Sequence, residues 1–289
     1  MSRAGSQVEL GRLTFANPVL AASGTFEFGL KFPEVSRKLG GVVTKGITLE
    51  PRAGNPPPRI AEFPCGILNS VGLENPGVEA FATSVLPKMQ RLGTRVIVNV
   101  AGFKPHEFGR LVGRLEEHEI DAYELNLSCP NVKEGGAGFG QSARMVGRIT
   151  ADVRRRTKRT VIVKLTANFV DPAETAKAAE DAGADAVTVI NTLYGLVLDE
   201  ACRPFLGGRN GGISGPALKP FALYCVDRVA SRVKIPVIGC GGIASCRDAL
   251  EFLACGAKMV QVGTASLVNP RAALGIWLEL KALLARRQR

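Results

Sequence analysis

Cys129 is the residue whose surroundings best suit a reactive group. It follows the apolar run AYELNLS, precedes Pro130 and opens the glycine-rich segment CPNVKEGGAGFGQ. A thiolate placed where a strand gives way to a loop can act as a base or a nucleophile, whereas a structural cysteine more often lies within a core. Cys129 is therefore the candidate catalytic residue, with a structural role as the alternative. The other cysteines have no such setting and are interpreted as packing residues: Cys65, Cys202, Cys225, Cys240, Cys246 and Cys255.

Two apolar runs in the C-terminal third end in glycine-containing pairs. Gly241 and Gly242 close the run PVIGCGG, and Gly263 with Thr264 closes MVQVGT. Because glycine lets backbone N–H groups approach an anion closely, these pairs predict a phosphate site, to which Gly215 in the string SGP would contribute. Tight strand-to-helix turns are the alternative interpretation.

Lysines end two further apolar runs, at Lys45 and Lys164. An ammonium group is costly to desolvate unless it meets an anion. The pair therefore favours an anionic ligand, or an electron-rich ring that becomes anionic on reduction. The alternative is a salt bridge to a neighbouring acid such as Glu124.

Asparagines occupy positions where apolar residues would be expected. Asn99, Asn126 and Asn191 lie in or at the end of apolar runs, and Asn69 lies in the string NSVGLENPG. A side-chain amide both donates and accepts hydrogen bonds, which suits an amide-bearing heterocycle such as a pyrimidine or a flavin. Hydrogen bonding to the surrounding backbone is the alternative.

Eight short runs rich in β-branched residues predict the strands that position these groups: residues 18–23, 41–46, 96–101, 122–128, 160–165, 186–192, 236–242 and 259–265. Helical patterns separate most of them, for example residues 172–184 and 245–257, the second with Ser245 as N-cap and Gly256 as stop signal. Eightfold strand–helix alternation predicts an α/β fold, a (β/α)₈ TIM barrel formed by a single domain over residues 1–289. An open doubly wound sheet is the alternative, but no GxGxxG follows the first strand.

Additions to the plain barrel are predicted at both of its ends. The opening segment QVELGRLTFANP is expected to form a β-hairpin that caps the bottom. Three long connections, residues 48–75, 129–141 and 193–215, leave the C-terminal ends of strands as inserted rim loops. That face is where barrel enzymes carry their chemistry.

Composition excludes several classes of protein. The chain of 289 residues has a formal charge of +11, yet only 6% of its residues are aromatic, so we expect no nucleic-acid site. The basic clusters 154–159 and 286–289 are interpreted as a helix end and a chain end in solvent. No apolar stretch predicts a membrane span, and no apolar leader predicts export. Scattered cysteines without a CxxC pair predict a reducing, cytoplasmic location and no metal site.

Long strings in the chain resemble class 1 dihydroorotate dehydrogenases and, more narrowly, the catalytic subunit of their NAD-linked 1B type. These strings are NSVGLENPG, NLSCPNVKEGG, NTLYGLVLD and RPFLGGRNGGISGPALKP, and the resemblance extends from LTFANPVLAASGTF to VQVGTA. The chain departs from the usual pattern at Ser70, where alanine is usual, in GAGFG around Ala137, and at Ala167, where proline is common. None of these departures removes a polar functional group.

The resemblance implies one FMN per chain, with its phosphate on Gly215, Gly241, Gly242, Gly263 and Thr264. It implies that the rest of the flavin is lined by Ser23, Lys45, Gly46, Asn99, Asn126, Lys164 and Ile190. Dihydroorotate would be held by Lys45, Asn69, Ser70, Val71, Gly72, Leu73, Asn126, Asn191 and Thr192. Cys129 would remove a C5 proton while C6 delivers a hydride to flavin N5.

The resemblance also implies a place in pyrimidine (UMP) biosynthesis and a set of partners. A homodimer of the chain would join an electron-transfer subunit that carries FAD and a 2Fe-2S cluster, forming a heterotetramer that reduces NAD⁺. The alternatives are a dihydropyrimidine dehydrogenase-like module, a fumarate-linked class 1A enzyme, an RNA-modifying flavin barrel and a non-catalytic phosphate-binding barrel. Lys45 favours the orotate carboxylate over uracil, which lacks one.

Overall fold

A computed structural model describes residues 7–128 and 138–287. Cys129 and the glycine-rich residues that follow it up to Ala137 lie outside the described residues. The strands, in chain order, are β1 (Val8–Leu10), β2 (Leu13–Phe15), β3 (Val19–Ala21), β4 (Gly41–Val43), β5 (Ile60–Phe63), β6 (Gly66–Asn69), β7 (Arg95–Val100), β8 (Ala122–Asn126), β9 (Thr160–Lys164), β10 (Ala186–Val189), β11 (Leu193–Gly195), β12 (Gly211–Ser214), β13 (Val237–Cys240) and β14 (Met259–Val262).

The helices pack around these strands and connect most of them. They are α1 (Pro33–Ser36), α2 (Gly77–Ala80), α3 (Leu86–Gln90), α4 (Pro105–Leu115), α5 (Ala143–Arg156), α6 (Pro172–Asp181), α7 (Lys219–Ala230), α8 (Cys246–Ala254), α9 (Thr264–Val268) and α10 (Ala272–Arg287). A π-helical turn, Phe81–Val85, joins α2 to α3. Short 3₁₀ turns, Phe139–Gln141 and Pro216–Leu218, precede α5 and α7.

Eight parallel strands close into a barrel in the order β3, β4, β7, β8, β9, β10, β13, β14. Each lies within one of the apolar runs predicted to be a strand, except that β7 begins one residue earlier, at Arg95. The strands are buried on both faces, as the continuous apolar runs require; every residue of β8 and β9 is buried. The predicted (β/α)₈ barrel is confirmed, and the open doubly wound sheet is excluded.

A hairpin closes the bottom of the barrel, as predicted. Strands β1 and β2 pair antiparallel, with Val8 opposite Phe15. Leu10 and Phe15 are fully buried and pack in one cluster with residues of the barrel strands, among them Leu20 and Ile97. This apolar plug leaves the opposite end, where the strands finish, as the open face.

Local signals at the helix ends also agree with the prediction. Ser245 caps α8 by accepting a hydrogen bond from the backbone of Asp248, whose carboxylate bonds back to the Ser245 backbone. Gly256, at φ +99°, follows the end of that helix. The basic cluster at residues 154–159 closes α5, at the negative end of its dipole.

A second sheet covers part of the open face, and the sequence does not predict it. Strands β11, β12, β6 and β5 pair antiparallel in that order. They come from two of the three long connections that were expected to be loops. Ala61, Leu68 and Leu206 form a small apolar core on this sheet. Within residues 7–128 and 138–287, no helix is both long and apolar enough to cross a membrane.

Candidate active site at the open end of the barrel

A cavity of about 780 Å³ lies where the barrel strands end, between the barrel and the rim sheet. Its volume falls in the range of cofactor and ligand pockets. Nearly all of the predicted site residues line it: Ser23, Lys45, Gly46, Asn69, Ser70, Val71, Gly72, Leu73, Asn126, Lys164, Ile190, Asn191, Thr192, Gly215, Gly241, Gly242, Gly263 and Thr264. Asn99 does not line the cavity but contacts Asn126 from below. Cys129 lies outside the described residues, although its chain neighbour Ser128 lines the cavity.

Three of the four asparagines form a chain of hydrogen bonds near the C-terminal ends of the barrel strands β7, β8 and β10. Asn191 Nδ2 donates to Asn126 Oδ1 at 3.3 Å, and Asn126 Nδ2 donates to Asn99 Oδ1 at 3.4 Å. Asn99 Nδ2 then donates to Glu124 Oε1 at 2.7 Å. The amides therefore orient one another, and Asn126 retains one donor and one lone pair for a ligand. Asn69 differs, because its amide donates to the backbone carbonyl of Gly212 at 3.2 Å.

A buried polar cluster lies under the cavity around Glu124, whose side chain is fully buried. Thr188 Oγ1 donates to Glu124 Oε2 at 2.9 Å, and Gln261 Nε2 donates to the same oxygen at 2.5 Å. Together with the bond from Asn99, these contacts satisfy the carboxylate with neutral donors. Such satisfaction is what a buried anion requires.

Lys164 lies between this cluster and the cavity. Its Nζ atom is 3.4 Å from Ser23 Oγ, 3.3 Å from Gln261 Oε1 and 3.9 Å from Glu124 Oε1. Burial lowers the pKa of Lys164, but the charge of Glu124, with a smaller contribution from Cys240, outweighs burial and holds this pKa above its ordinary value. Lys164 therefore both pairs with Glu124, the alternative considered from the sequence, and lines the cavity where a ligand would bind.

Lys45 is the second cavity lysine, and its surroundings differ. Its backbone N–H donates to the carbonyl of Glu27, while its half-buried side chain lines the cavity. Within the part of the chain that the structure describes, its ammonium group has neither a hydrogen bond nor an ion pair. It is therefore available to an anionic group in the cavity.

The predicted glycines form a close-packed cradle at one end of the cavity. Gly242 has φ +75°, and a Cβ atom on it would lie 2.7 Å from the backbone nitrogen of Lys219. Gly215 has φ +98°, and its Cβ would lie 2.9 Å from Gly66 Cα. Any larger residue is thus excluded by both backbone conformation and space. Helix α9 begins beside this cradle at Thr264.

The cysteines require a correction. Cys225 and Cys246 are buried, as packing residues should be, but Cys65 and Cys202 are exposed. Cys240 lines the cavity at the end of β13, and burial raises the pKa of its thiol. The packing interpretation was wrong for Cys65 and Cys202, because the local sequence does not show whether a turn faces solvent.

Two further polar residues position the cavity wall, and sequence reasoning missed them. Asn55 donates from Nδ2 to Ser70 Oγ at 3.0 Å, so the residue that replaces the usual alanine has a partner in this chain. Asn168 donates to the carbonyl of Thr192 at 2.9 Å. Both asparagines lie in connections whose residues give no periodic signal.

Comparisons with known proteins identify the family of this chain. The family model described as dihydroorotate dehydrogenase matches residues 6–284. A protein of Trichlorobacter lovleyi is 50% identical over 284 residues, covering 97% of this chain and 93% of its own length. One of Desulforamulus reducens is 51% identical over 269 residues, covering 92% and 88%. Both are named dihydroorotate dehydrogenase B (NAD(+)), catalytic subunit.

A solved structure supports the fold. The crystal structure of DHODH from Eimeria tenella in complex with ferulenol superposes with a TM-score of 0.80 and covers 98% of this chain and 85% of its own. At 24% identity it bears on the fold alone. The resemblance to the 1B type expected from the sequence is confirmed by the more similar relatives. The chain is an enzyme that belongs to the dihydroorotate dehydrogenase family.

Proposed function

We propose that this chain oxidises (S)-dihydroorotate to orotate in UMP biosynthesis, as the catalytic subunit of an NAD-linked class 1B enzyme. The observation that carries the proposal is the single cavity in which two lysines, an amide chain and a glycine cradle meet. The names of the relatives favour NAD⁺ over the fumarate of class 1A. The free ammonium of Lys45 favours a carboxylate-bearing pyrimidine over uracil.

The family is flavin dependent in general, and the proposed cofactor is one FMN per chain. The residues fit such a group, because Gly215, Gly241 and Gly242 leave room for nothing larger than glycine and the lysine and amide donors suit an electron-rich ring. Gly215, Gly241, Gly242, Gly263 and Thr264 would hold the phosphate. Ser23, Lys45, Gly46, Asn99, Asn126, Lys164 and Ile190 would surround the remainder. When bound, FMN supplies the acceptor for the hydride that leaves C6.

The substrate would occupy the part of the cavity under the rim sheet. Lys45 would pair with its carboxylate, and the amides of Asn126 and Asn191 would bond its ring, together with Asn69 to Leu73 and Thr192. The hydrogen-bond chain that ends on Glu124 supports this role, since it fixes the amide orientations before a ligand arrives.

Cys129 is the proposed base that removes the C5 proton. A thiol acts as a base only as thiolate, and its proton then returns to solvent during turnover. Support comes from its chain neighbour Ser128, which lines the cavity and donates to the carbonyl of Lys164 at 3.2 Å. The dihydropyrimidine dehydrogenase-like alternative would use the same thiol. The two functions therefore differ in whether the substrate carries a carboxylate, as dihydroorotate does.

A partner subunit belongs to the proposal as well. The relatives are named as catalytic subunits, a name that implies a second subunit in their enzymes. For this chain we propose a homodimer that joins two electron-transfer subunits carrying FAD and a 2Fe-2S cluster. A cytoplasmic location is part of the same proposal.

The test is anaerobic mixing of the purified protein with dihydroorotate. The protein should be yellow, release FMN on denaturation, and lose its flavin absorbance on adding dihydroorotate but not dihydrouracil. Bound FAD, or colourless protein that FMN cannot reconstitute, would contradict the cofactor. Equal bleaching by dihydrouracil would move the chain to the dihydropyrimidine alternative.

A further inference from the structure

Glu124 is a fully buried carboxylate to which the proposed reaction gives no part. It lies in β8, below the cavity, and does not line it. Three neutral side chains donate to it, each from a different barrel strand: Asn99 from β7, Thr188 from β10 and Gln261 from β14. Retaining a buried anion costs several kcal/mol unless its neighbours compensate for it. An apolar residue would fill this place in a barrel core at lower cost, so the charge calls for an explanation.

The position of Lys164 supplies one. Its Nζ atom lies 3.9 Å from Glu124 Oε1, beyond hydrogen-bond distance, because the neutral donors occupy the carboxylate oxygens. The two hydrogen bonds that Lys164 does make, to Ser23 and Gln261, are long, at 3.4 and 3.3 Å. Glu124 thus compensates the charge of Lys164 without accepting a hydrogen bond from its ammonium group. The N–H groups of Lys164, which lines the cavity, therefore stay available to a ligand.

We propose that Glu124 is a positioning residue that keeps Lys164 protonated and available to the negative charge that a bound flavin gains on reduction. This inference rests on the proposed function, since it needs a flavin in the cavity. Without the carboxylate, burial of a lysine that is only 4% exposed would lower its pKa and shift its equilibrium toward the neutral amine.

The groups that face Lys164 leave Glu124 as its principal counter-charge. Ser23, Asn126 and Gln261 are neutral, and the thiol of Cys240 on β13 has a pKa raised by burial. Lys45 and Glu27 line the same cavity from the segments around β4. Burial is the largest influence on the pKa of Lys164 and lowers it, yet this pKa is raised, and Glu124 makes the larger of the two contributions that raise it.

The first measurement needs neither a variant nor a flavin. FMN-free protein is acylated with acetic anhydride over a range of pH, and mass spectrometry follows Lys164 against the exposed Lys158. Only a neutral amine reacts, so Lys164 should become reactive at higher pH than Lys158. Reaction of Lys164 at lower pH than Lys158 would overturn the proposal even if the chain binds no flavin at all.

The second measurement uses Glu124→Gln, which preserves the shape of the side chain and removes its charge. Sulfite adds its electron pair to an oxidised flavin, and the ring takes up the negative charge, so the sulfite Kd reports on a nearby cation. The ratio of the Kd of Glu124→Gln to that of the wild type should increase with pH by about tenfold or more, the equivalent of one unit of pKa. The increase marks the deprotonation of Lys164.

Matched variants separate this effect from general loss of structure. Glu116→Gln removes a hydrogen-bonded carboxylate that contacts Tyr123 and Thr157 away from the cavity, and its ratio should not change with pH. For the double variant Glu124→Gln/Lys164→Met, the ratio of its sulfite Kd to that of the wild type should likewise not change with pH, since neither group remains to titrate. Glu124→Asp keeps the charge and should restore the wild-type profile. A flat profile for Glu124→Gln with FMN still bound would refute the proposal, whereas absence of FMN from the wild type would refute the proposed function instead.

Discussion

Asn168 connects the ends of two neighbouring barrel strands through one side chain: its Nδ2 atom donates to the carbonyl oxygen of Thr192 at 2.9 Å, and its Oδ1 atom accepts the backbone N–H of Tyr194 at 2.9 Å. Asn168 itself lies in the connection after β9, whereas Thr192 and Tyr194 follow β10 and line the cavity. The loop next to the unusual Ala167 therefore supports the wall on which substrate is proposed to bind.

Replacing Asn168 by alanine should loosen that wall. The change removes both bonds and leaves the carbonyl and N–H without their partners, at a cost of about 1–3 kcal/mol. We expect weaker binding of orotate with FMN content unchanged, measured by titration of the flavin spectrum. Asn17→Ala is the matched control, because Asn17 makes the same kind of bridge, to Lys38 and Val19, at the bottom of the barrel. It should lower the melting temperature without changing orotate affinity; equal losses of affinity in both variants would contradict a positioning role.

Gly242→Ala should abolish FMN binding. The added Cβ would lie 2.7 Å from the backbone nitrogen of Lys219, at a φ of +75° that alanine rarely adopts. The FMN-to-protein ratio after purification and reconstitution measures the effect. Gly113→Ala serves as control, since a Cβ there meets no atom within 4 Å and lies in helix α4, where alanine should stabilise by about 0.5–1 kcal/mol. Full FMN occupancy in Gly242→Ala would show that the cradle does not hold the phosphate.

The barrel and most of the cavity wall were predictable because their signals are local. Each barrel strand lies in one contiguous apolar run, and many of the residues proposed for the site, such as Lys45, Lys164 and Gly242, lie in or at the end of such a run. The rim sheet gave no such signal, because it is assembled from two distant segments: Asn69 in β6 bonds to Gly212 in β12 across 143 positions. Gln261 was visible as a polar residue inside an apolar run, but its partner Glu124 lies 137 positions away. Contacts between such distant residues depend on how the strands pack together, and they cannot be predicted from the sequence of any one strand.

Lys45→Ala should weaken binding of orotate by about 2 kcal/mol or more, the cost of leaving a charged partner unpaired. The physical reason is that, among the described residues, no side chain forms a hydrogen bond or an ion pair with the ammonium group of Lys45. Uracil, which has no carboxylate, should bind poorly to the wild type and be little affected. Lys158→Ala, at an exposed position, controls for the loss of one positive charge. Equal losses for orotate and uracil would refute the assignment of Lys45 to the carboxylate.

Cys129→Ala should slow reduction of the flavin by dihydroorotate roughly 10²–10⁴-fold, the usual contribution of a positioned general base. Because the base is a thiolate with an ordinary pKa of about 8.5, the wild-type rate should increase toward alkaline pH. Anaerobic stopped-flow mixing measures both, and orotate binding should survive the change. Cys202→Ala, at an exposed turn, should behave as the wild type. Reduction by Cys129→Ala at a near wild-type rate would leave Cys129 a structural residue.

The electron acceptor gives the last prediction. Among the described residues no group of three or more His, Cys, Asp or Glu side chains is placed to hold a metal, and the sequence contains no dinucleotide fingerprint after its first strand. We expect the isolated chain to oxidise dihydroorotate with oxygen or artificial acceptors but not with NAD⁺. Adding the electron-transfer subunit should restore NADH formation.

The charge of +11 predicts how that partner associates. If it contributes to docking on an acidic surface, the concentration of partner needed for half-maximal NADH formation should increase with salt, because salt screens exposed charges beyond about 10 Å at 0.1 M. Reduction of FMN by dihydroorotate within the isolated chain is the control, since it needs no docking and should be far less sensitive to salt. Substantial NADH formation without the partner would make the second subunit unnecessary, and efficient turnover with fumarate would place the chain in class 1A, since that acceptor needs no second flavin.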